Sequence, residues 1–367
     1  MKCVTVLTLL LLTFFFYSVR AQRVLDVDFD GNGQVEFLDF LAFARAFGST
    51  QSRYDLNGNG RVDFPDFLTF ASRFDDSSSA PASGVNPETL LNTLEANHPR
   101  LMLKEAVLEA LKVRWQTDPA LKKIVSDVLG EANKFLNKAS LKHELRGPRL
   151  LHVSRDCLNR IYHLALAWRC TGDARYFETA RNNLLTVSAF PNWNPSHFLD
   201  VAEMSHAVAI GYDWLFHTLN PADRKTIKAA LIRHGLQPGV DAYAGKGPSK
   251  WWPQSAFNWN QVCNGGLIVG ALAIAETDPE YAQQIIPEAT QSLPLALETY
   301  NPDGAWGEGP GYWHYATRYT AYGLSALETA LGHTFDLTHR QGLSRAGHFP
   351  IYASGPMAYY FNYADAG

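Results

Sequence analysis

Residues 267–275, LIVGALAIA, form a run that is apolar on every side of a helix. A helix without a polar face has to be covered by other helices, so this run predicts a buried inner helix. Amphipathic segments separated by turns precede and follow it, from about residue 88 onward. We therefore expect a mainly α fold built around a buried helical layer.

Turn signals recur along this region and divide it into helical hairpins. They fall at Gly172, Asn220, Thr277 and Gly332, some 48 to 57 residues apart. Hairpins repeated with such a period are typical of an (α/α) toroid, and we expect an incomplete one. The predicted pairs are residues 153–171 with 173–187, 198–219 with 221–234, 260–276 with 279–300, and 312–331 with 337–347.

The connection before the last pair runs into residues 302–319, PDGAWGEGPGYWHYATRY, which combine turn formers with aromatic and titratable side chains. Aromatic faces suit sugar rings, and Tyr, His, Glu and Arg can transfer protons or bind anions. A rigid turn before a buried helix is the alternative explanation of its glycines. The candidates for a site in this stretch are Trp306, Glu308, Tyr312, Trp313, His314, Tyr315 and Arg318.

A second candidate segment is residues 257–266, FNWNQVCNGG, which stands at the head of the buried inner helix. It contains four carboxamides, Asn258, Asn260, Gln261 and Asn264. A helix N-terminus offers unpaired N–H groups and the positive end of the dipole, which favour a bound carboxylate. N-capping by Asn258 or Asn260 is expected as well.

In a third segment, residues 197–214, Glu203 and His206 are three positions apart and share a helix face. His206 is equally compatible with a hydrogen bond in the core and with a place in a cleft. Asp213 and Trp214 are interpreted as a structural pair. Long connections before the inner helices carry Pro, Trp and Gly, and they are expected to form the cleft at one end of the toroid.

Near the N-terminus a segment repeats at an offset of 27 residues, and 31–47 matches 58–74 at 11 of 17 positions. Each copy has oxygen-bearing side chains at loop positions 1, 3, 5 and 12, a glycine at 6 and a carbonyl donor at 7. This is the spacing of calcium loops, with an Asn/Gly-rich turn as the alternative. The predicted Ca²⁺ ligands are Asp28, Asp30, Asn32, Gln34 and Asp39, and then Asp55, Asn57, Asn59, Arg61 and Asp66.

Each loop leads into an amphipathic helix, and most of its apolar face is expected to pack the two copies together. The two-loop spacing resembles dockerins, although the repeat length departs from theirs. This resemblance implies that an exposed part of the face docks a cohesin-like or cell-surface partner. The apolar positions are Phe37, Phe40, Leu41, Ala44 and Phe47, and then Phe64, Phe67, Leu68, Ala71 and Phe74.

The remaining sequence features concern location and organisation. Residues 1–21 have a charged start, an apolar run too short to span a bilayer and small residues before a cleavage site, which predicts a signal peptide. A net charge of −4 gives no indication of nucleic-acid binding. We expect a secreted protein (extracellular, periplasmic or cell-surface associated) without a membrane span, with a calcium module over 22–76, a linker over 77–87 and the toroid over 88–347.

Three segments together resemble the heparinase II/III-like polysaccharide lyases and their alginate-lyase relatives. They are NWNQVCNGG, PDGAWGEGPGYWHY and HFLDVAEMSHAVAIGYDWL, and the resemblance runs from about residue 90 to the end. It implies an (α/α) toroid followed by a β-sandwich, of which residues 348–367 look like a truncated start. The absent part would supply a His and in some relatives a zinc, which allows for a fragment that is inactive alone.

The resemblance implies β-elimination on an anionic polysaccharide: the C5 proton of a uronic acid is removed and a 4,5-unsaturated product forms. The neighbouring carboxylate must be neutralised, a role assigned by resemblance to Asn260 with Gln261 beside it. Relatives often carry His at the position of Gln261, and Gln cannot act as a base, so a His-assisted mechanism is in doubt. Tyr312 is the candidate base, acid or both, and Tyr315 competes with it.

The other site residues receive supporting roles. A phenol ordinarily titrates near pH ~10, so a Tyr base needs a cationic or hydrogen-bonding neighbour, and Arg318 and His314 are the local options. Glu308 is expected to orient His314 or the loop. The further substrate-binding candidates are Trp259, Trp306, Trp313, Glu203 and His206.

Two other functions are compatible with the sequence. An (α/α)-toroid glycoside hydrolase acting on uronyl oligosaccharides would need two carboxyl groups across the cleft, and Asp200, Glu203 and Glu308 are available. A non-catalytic, calcium-scaffolded glycan-binding protein is the third hypothesis.

Overall fold

The computed structural model describes residues 27–29, 37–74, 85–356, 359–362 and 364. The chain divides into two compact units, Met1–Pro81 and Ala82–Gly367, and the boundary falls within the predicted linker. Among the described residues of both units helices dominate, and there is no β-strand, only two isolated bridges. The predicted signal peptide and residues 30–36 of the first calcium loop lie outside the described residues.

In the first unit, helices α1 (Phe37–Ala46) and α2 (Phe64–Phe74) enclose a small aromatic core. The rings of Phe43 and Phe70 stack with centroids 5.3 Å apart. Residues of the loops complete this core, which consists of Val27, Phe29, Phe43, Ala46, Val62 and Phe70.

The face that packs is not the one predicted from helical spacing. Phe40 and Phe67 lie against the core, but Phe47, Phe64 and Leu68 have 52%, 60% and 54% of their surface exposed. The two helices meet along Phe43 and Phe70 instead. Short helices so rich in Phe carry two apolar faces, and helical spacing alone did not identify the one that is covered.

The second unit is a long series of helices. They are α3 Glu105–Arg114, α4 Pro119–Leu136, α5 Leu151–Thr171, α6 Ala174–Ser188, α7 Phe198–Trp214, α8 Pro221–Leu231, α9 Gln237–Tyr243, α10 Asn258–Ala273, α11 Pro279–Leu297, α12 Pro310–Leu331 and α13 Phe349–Tyr352. A π-helical turn at Ile232–Leu236 joins α8 to α9, and 3₁₀ turns lie at Trp252–Gln254, Glu298–Tyr300, Leu337–His339 and Leu343–His348.

These helices form two rows between which the chain alternates. In the first row α5, α7, α10 and α12 contact one another in that order. The second row contains α4, α6 and α8, which contact one another in that order, and further along α9 and α11. Helices α5, α7 and α10 each pack against the long helix that follows them in sequence, α6, α8 and α11. Three of the four predicted hairpins are therefore present.

The fourth hairpin is incomplete. Residues 337–347, predicted as a helix, form only two 3₁₀ turns. Beyond them the described residues contribute α13 and one antiparallel bridge between Ser354 and Tyr360.

The hairpin turns follow the signals in the sequence. Helix α5 ends at Gly172 and α12 at Gly332, both in the left-handed conformation with φ of 70° and 80°. The side chain of Asn220 accepts a hydrogen bond from the backbone N–H of Asp223, and Pro221 occupies the first turn of α8.

The centre of the first row is as apolar as the sequence predicts. All 17 residues of α7 are buried, and so is every residue of α10 except Trp259. Two glycines of α10 allow the neighbouring helices to approach closely. A Cβ at Gly265 would lie 2.4 Å from the Tyr319 carbonyl oxygen of α12, and one at Gly266 would lie 2.3 Å from the Ala202 carbonyl oxygen of α7.

Asp213 and Trp214 at the end of α7 have the structural role expected of them. The Asp213 carboxylate accepts hydrogen bonds from the backbone N–H groups of Arg100 and Leu101, both at 3.0 Å. The Trp214 indole donates to the Leu101 carbonyl at 3.0 Å. Together these bonds fasten the segment before α3 to the first row.

His98 completes this buried network. Its Nδ1 lies 2.6 Å from the Asp213 carboxylate and its Nε2 lies 3.0 Å from that of Glu276. Burial would lower the pKa of His98, but the hydrogen bonds to the two carboxylates outweigh it, so the pKa is raised.

In the described part of the chain, no helix is long and apolar enough to cross a membrane.

Candidate active site

Two open clefts lie along α5 and α12 and share the side chain of Arg155. The Tyr312 cleft has a volume of about 440 Å³ and is lined by Arg149, Leu151, Arg155, His197, Leu199, Asn258, Trp259, Gly311, Tyr312 and Tyr315. The Tyr322 cleft has a volume of about 550 Å³ and is lined by Val128, Arg155, Leu158, Asn159, Tyr162, His163, Leu166, Glu203, Arg318, Tyr319 and Tyr322.

Helical spacing explains why one pair of helices serves both clefts. Lining residues recur every three or four positions along α5, from Leu151 to Leu166, and along α12, from Gly311 to Tyr322. At 1.5 Å per residue, the α5 wall is about 22 Å long. The two clefts therefore form successive parts of one groove between α5 and α12.

Arg155, Glu203 and Tyr315 form a bonded group where the two clefts meet. The Tyr315 hydroxyl donates to Glu203 Oε1 at 2.5 Å, and Arg155 Nε donates to the same oxygen at 3.1 Å. The Arg155 guanidinium also lies over the Tyr315 ring, 4.7 Å from its centroid. Glu203 is 1% exposed, whereas half of the Arg155 side chain faces solvent.

The electrostatics of this group follow from burial and from the ion pair. Burial raises the pKa of Glu203, although Arg155 and the Tyr315 hydroxyl oppose that shift. Burial, followed by the Glu203 charge, raises the pKa of Tyr315 well above its usual value. Tyr315 is therefore held as a neutral phenol that donates to a carboxylate.

Tyr312 lies one turn before Tyr315 and faces the Tyr312 cleft. It is half-buried, and its hydroxyl has no hydrogen-bond partner within the described parts of the chain. Trp259 lines the same cleft, with its ring centroid 4.9 Å from that of His197. His197 is held by Asp200, whose carboxylate lies 2.7 Å from the His197 Nδ1. The structure thus brings together two segments that are about 50 residues apart in sequence.

Asn260 and Gln261 do not lie in the groove, which contradicts the placement predicted for them. Asn260 is fully buried, and its Nδ2 donates to the Ser292 carbonyl at 2.9 Å and to the Ser292 hydroxyl at 3.0 Å. Gln261 is also fully buried, and its Nε2 donates to the hydroxyls of Tyr300 and Thr320. Both point from α10 into the helical core, where their amides are used by the protein itself.

Asn258, the first residue of α10, is the carboxamide that lines the cleft. N-capping by Asn258 or Asn260 was expected, but neither residue caps the helix. Phe257 occupies the N-cap position and makes no side-chain hydrogen bond to the helix. The Glu308 carboxylate accepts from the Asn258 backbone N–H at 3.1 Å and from the Trp306 indole at 3.2 Å. Glu308 therefore ties the Gly-rich loop to the start of α10, which is the second of the two roles expected of it.

The other predicted site residues lie around the groove or away from it. Arg318 is exposed and lines the Tyr322 cleft. His314 is exposed and Trp313 is half-buried, and neither lines the two clefts. Trp306 is buried against Tyr300, with ring centroids 4.8 Å apart, and is out of reach of a sugar.

His206 belongs to the core. It is fully buried, and its Nε2 lies 2.6 Å from the Tyr162 hydroxyl. Burial lowers its pKa to about 3, so the ring stays neutral at ordinary pH. Of the two alternatives open from the sequence, the core hydrogen bond is the one found.

The groove contains residues that were not among the sequence candidates. Arg149 and Arg155 give the Tyr312 cleft its positive charge, and Tyr162 and Tyr322 widen the aromatic wall of the second cleft. One signal was available: tyrosines recur at 312, 315, 319 and 322, the spacing of one helix face. The arginines carried no comparable signal, because surface arginines are common along helices.

The second calcium loop folds around the residues predicted as ligands. Asp55 accepts from the backbone N–H groups of Gly58 and Gly60 at 2.8 and 2.7 Å. Asp66 accepts from those of Leu56 and Asp63, both at 2.8 Å. Burial would raise the pKa of Asp66, but these backbone hydrogen bonds lower it overall, so the carboxylate is charged.

The donor set suits a hard cation. Asn57, Asn59 and the carbonyl of Arg61 add oxygens to those of Asp55 and Asp66, and oxygen is what Ca²⁺ takes. No group of three or more His, Cys, Asp or Glu side chains in the described residues is placed to hold a metal ion. Of the five residues predicted as ligands in this loop, two are carboxamides, Asn57 and Asn59.

The first calcium loop is described only at its two ends. Asp39 accepts from the backbone N–H of Phe29 at 2.5 Å, the contact that Asp66 makes with Leu56 in the second loop. Asp28 is buried. The other three predicted ligands, Asp30, Asn32 and Gln34, lie outside the described residues.

A scan against protein families gives no match. A search of curated proteins gives no match either. The groove between α5 and α12 is thus the feature of the chain from which a function is inferred.

Proposed function

We propose that the protein is a secreted polysaccharide lyase that cleaves a uronic-acid-containing glycan by β-elimination. One observation carries the proposal: Tyr312, Asn258, Trp259 and Arg149 come from three separate segments and line one cleft. They supply a proton-transfer group, a carboxamide, a sugar-stacking ring and a cation. The sequence resemblance to heparinase II/III-like lyases supports the same reaction.

The helical rows support an incomplete (α/α) toroid as the frame of this site. Alternation between two rows of antiparallel helices is what successive helical hairpins produce. Helices α5 and α12 stand at the two ends of the first row, and the groove lies between them. A toroid left open between its first and last inner helices would have its cleft in this position.

The carboxylate of the uronate would bind at the head of α10. Asn258 can donate a hydrogen bond to it, and Arg149 and Arg155 line the same cleft. Neutralising the carboxylate stabilises the enolate-like species that forms when the C5 proton leaves. The assignment made to Asn260 from the sequence therefore passes to Asn258, because Asn260 is turned into the core.

Tyr312 is the residue that would take the C5 proton and pass a proton to the leaving O4. Tyr315 is less suited to act as a base, since burial and the Glu203 charge raise its pKa. Its hydroxyl hydrogen is also already donated to Glu203. The Tyr312 hydroxyl carries no such bond to a described residue. A general base must first be placed within reach of the substrate proton. Both tyrosines line the cleft, but only the Tyr312 hydroxyl is without a hydrogen bond to a described residue.

Glycoside hydrolysis is the weaker alternative. It uses two carboxyl groups on either side of the scissile bond. The residues lining the two clefts include one carboxylate, Glu203, which is already paired with Arg155. Asp200 is fully buried and bonds to Asn194, and Glu308 binds backbone at the head of α10.

The N-terminal unit is proposed to bind Ca²⁺ and to attach the enzyme to a partner. Its second loop presents the oxygen donors described above, and Ca²⁺ would fix their arrangement. Phe47, Phe64 and Leu68 on its two helices are exposed apolar side chains. Exposed apolar groups are typical of protein-docking sites, in agreement with the dockerin-like spacing.

The function is tested by incubating the full natural protein with heparan sulfate, chondroitin, hyaluronan, alginate and ulvan. A lyase yields fragments with a 4,5-unsaturated uronate end, detected by ultraviolet absorbance and a mass 18 units below that of the hydrolysis product. Saturated fragments would indicate the hydrolase, and binding without fragments would indicate the glycan-binding protein.

A further inference from the structure

His197 and Asp200 form a hydrogen-bonded pair at the wall of the Tyr312 cleft, and this pair has no role in the reaction proposed above. The His197 Nδ1 lies 2.7 Å from Asp200 Oδ1, and Asp200 is fully buried. His197 lines the cleft, and its Nε2 makes no hydrogen bond to a described residue. An imidazole with one nitrogen on a buried carboxylate and the other unpaired in a cleft is the arrangement of a general base.

Hydrogen bonds within the protein determine which nitrogen of His197 carries the hydrogen. Asp200 Oδ2 accepts from the Leu150 backbone N–H and from Asn194 Nδ2, both at 2.6 Å. A carboxylate can only accept, so His197 Nδ1 has to be the donor in its bond with Oδ1. In the neutral ring Nε2 is then the acceptor. Asp200 thus holds the ring in the form that can take a proton from the cleft.

Tyr312 needs a proton acceptor of this kind. A phenol ordinarily titrates near pH ~10, so it has to give its hydroxyl proton to a neighbour before it can take another from C5. Arg318 and His314, the neighbours expected from the sequence, do not line this cleft. The titratable and charged side chains that do line it are Arg149, Arg155, His197, Tyr312 and Tyr315. Arginine has no lone pair to offer and Tyr315 is itself a phenol, so His197 is the acceptor among them.

We propose that His197 is the general base that takes the hydroxyl proton of Tyr312, and that Asp200 is its positioning residue. This inference rests on the proposed function, in which Tyr312 exchanges a proton with the substrate. No hydrogen bond joins these two described side chains, His197 and Tyr312. Catalytic hydrogen bonds often tighten only when substrate is bound, and a proton can also pass through one water.

The proton movements balance without a further reactant. The Tyr312 O–H bond breaks and a His197 Nε2–H bond forms, which leaves a phenolate and an imidazolium. The phenolate takes the C5 proton, the C4–O4 bond breaks as the 4,5 double bond forms, and the same proton passes from Tyr312 to O4. The imidazolium then returns its proton to Tyr312. Until that step, the charge of Asp200 stabilises the imidazolium.

His197→Asn separates this role from a purely structural one. The Asn Nδ2 is bonded to Cγ, as Nδ1 is in His, so the variant can keep the bond to Asp200 while it lacks Nε2. Asn is also favoured at the N-cap of a helix, which is the position of His197 in α7. We expect His197→Asn to lower kcat about 10²–10⁴-fold, the contribution of a general base, and to bind the glycan as before.

The pH profile identifies the titrating group. In the wild type, kcat/KM for unsaturated product should rise between about pH 5 and 8, the range in which imidazoles lose their proton. His197→Asn should lack this rise. The matched control is His339→Asn, which should keep the rate and the profile of the wild type. The His339 Nδ1 lies 3.9 Å from Asp336 Oδ1, also three residues away, but His339 lines neither cleft.

A measurement that needs no turnover tests the positioning by Asp200. In Asp200→Asn the amide oxygen should stay with the donors at Leu150 and Asn194, so the amide NH₂ faces His197 and moves the ring hydrogen to Nε2. Nitrogen NMR spectra of the full natural protein, isotopically labelled at histidine, should show hydrogen on His197 Nδ1 in the wild type and on Nε2 in Asp200→Asn. The same tautomer in both proteins would overturn the positioning role.

The kinetic outcomes separate this inference from the lyase proposal. If the wild type forms unsaturated product and His197→Asn has the same rate and pH profile, the inference is overturned and the lyase proposal stands. If the wild type forms no unsaturated product from any of the uronate polysaccharides, the lyase proposal is overturned and this inference with it.

Discussion

Tyr315 donates its hydroxyl hydrogen to Glu203 Oε1 at 2.5 Å, across the junction of α12 and α7. This single bond separates the roles of two tyrosines that the sequence left equal. A buried phenol bound to a carboxylate keeps its proton, since burial and then the carboxylate charge raise its pKa. Tyr312, one turn earlier, is left as the phenol that can exchange a proton with a substrate.

Arg155 is expected to support both the fold and the binding of anionic glycans. Arg155→Ala removes the charged donor to the buried Glu203 carboxylate, which should lower the free energy of unfolding by about 1–2 kcal/mol. Binding of uronate hexasaccharides should weaken as well. Chemical denaturation and calorimetry measure the two effects.

Adding Glu203→Gln to Arg155→Ala removes the buried charge and should restore the lost stability without restoring binding. If the double variant is no more stable than Arg155→Ala, the ion pair is not the source of the loss.

Asn258 and Asn260 should behave in opposite ways. Asn260→Ala removes two buried hydrogen bonds to Ser292 and should cost about 1–3 kcal/mol of unfolding free energy. Asn258→Ala should leave stability nearly unchanged and lower kcat about 10²–10³-fold, as loss of a preorganised donor does. Urea denaturation and product formation provide the two readings. If only Asn260→Ala lowered kcat, the carboxylate of the substrate would be bound by Asn260 and not by Asn258.

How far the sequence predicts the site depends on the kind of residue. The aromatic and Gly-rich stretch around Tyr312, the inner helix and the helical hairpins were visible because their spacing is fixed by helix geometry. The direction of a single side chain could not be predicted in this way. Asn258 and Asn260 are two residues apart, so they point about 200° away from each other around the helix, and the rotation of the helix determines which of them lines the cleft. Tertiary contacts set that rotation, through close crossings such as Gly265 against Tyr319.

The same limit applies to the N-terminal unit. The spacing of the predicted ligands identified the second loop, in which Asp55 and Asp66 accept hydrogen bonds from the loop backbone. The packed face does not follow, because Phe43 and Phe70 compete with an equally apolar face that includes Phe64.

Ca²⁺ should stabilise the N-terminal unit. An ion that binds only the folded state at 100 times its Kd adds about 2.7 kcal/mol to the unfolding free energy. Calorimetric melting with Ca²⁺ and with a chelator measures this difference. Asp55→Ala should abolish it, whereas Arg61→Ala should preserve it, since only the backbone carbonyl of Arg61 is a predicted ligand. Equal melting of the wild type with and without Ca²⁺ would refute the calcium site.

His98 should make stability fall as the pH rises. Its folded-state pKa is raised by Asp213 and Glu276, so its contribution is fully present below about pH 6.5, the ordinary pKa of His. The contribution is lost as the pH rises through the elevated folded-state pKa, and each unit of elevation corresponds to about 1.4 kcal/mol. Thermal unfolding between pH 6 and 9 should therefore show a steeper decline in the wild type than in His98→Gln. Parallel curves would show that His98 is not the group responsible.

The most direct test of the account is the rate at which the full natural protein and its Tyr312→Phe variant form unsaturated uronate ends. The wild type should produce them from at least one uronate polysaccharide, and Tyr312→Phe should lower the rate about 10²–10⁴-fold, as loss of a general acid–base group does. Affinity for the glycan should persist, since Trp259 and Arg149 remain in the cleft. A Tyr312→Phe variant as fast as the wild type would show that Tyr312 is not the acid–base group of the reaction.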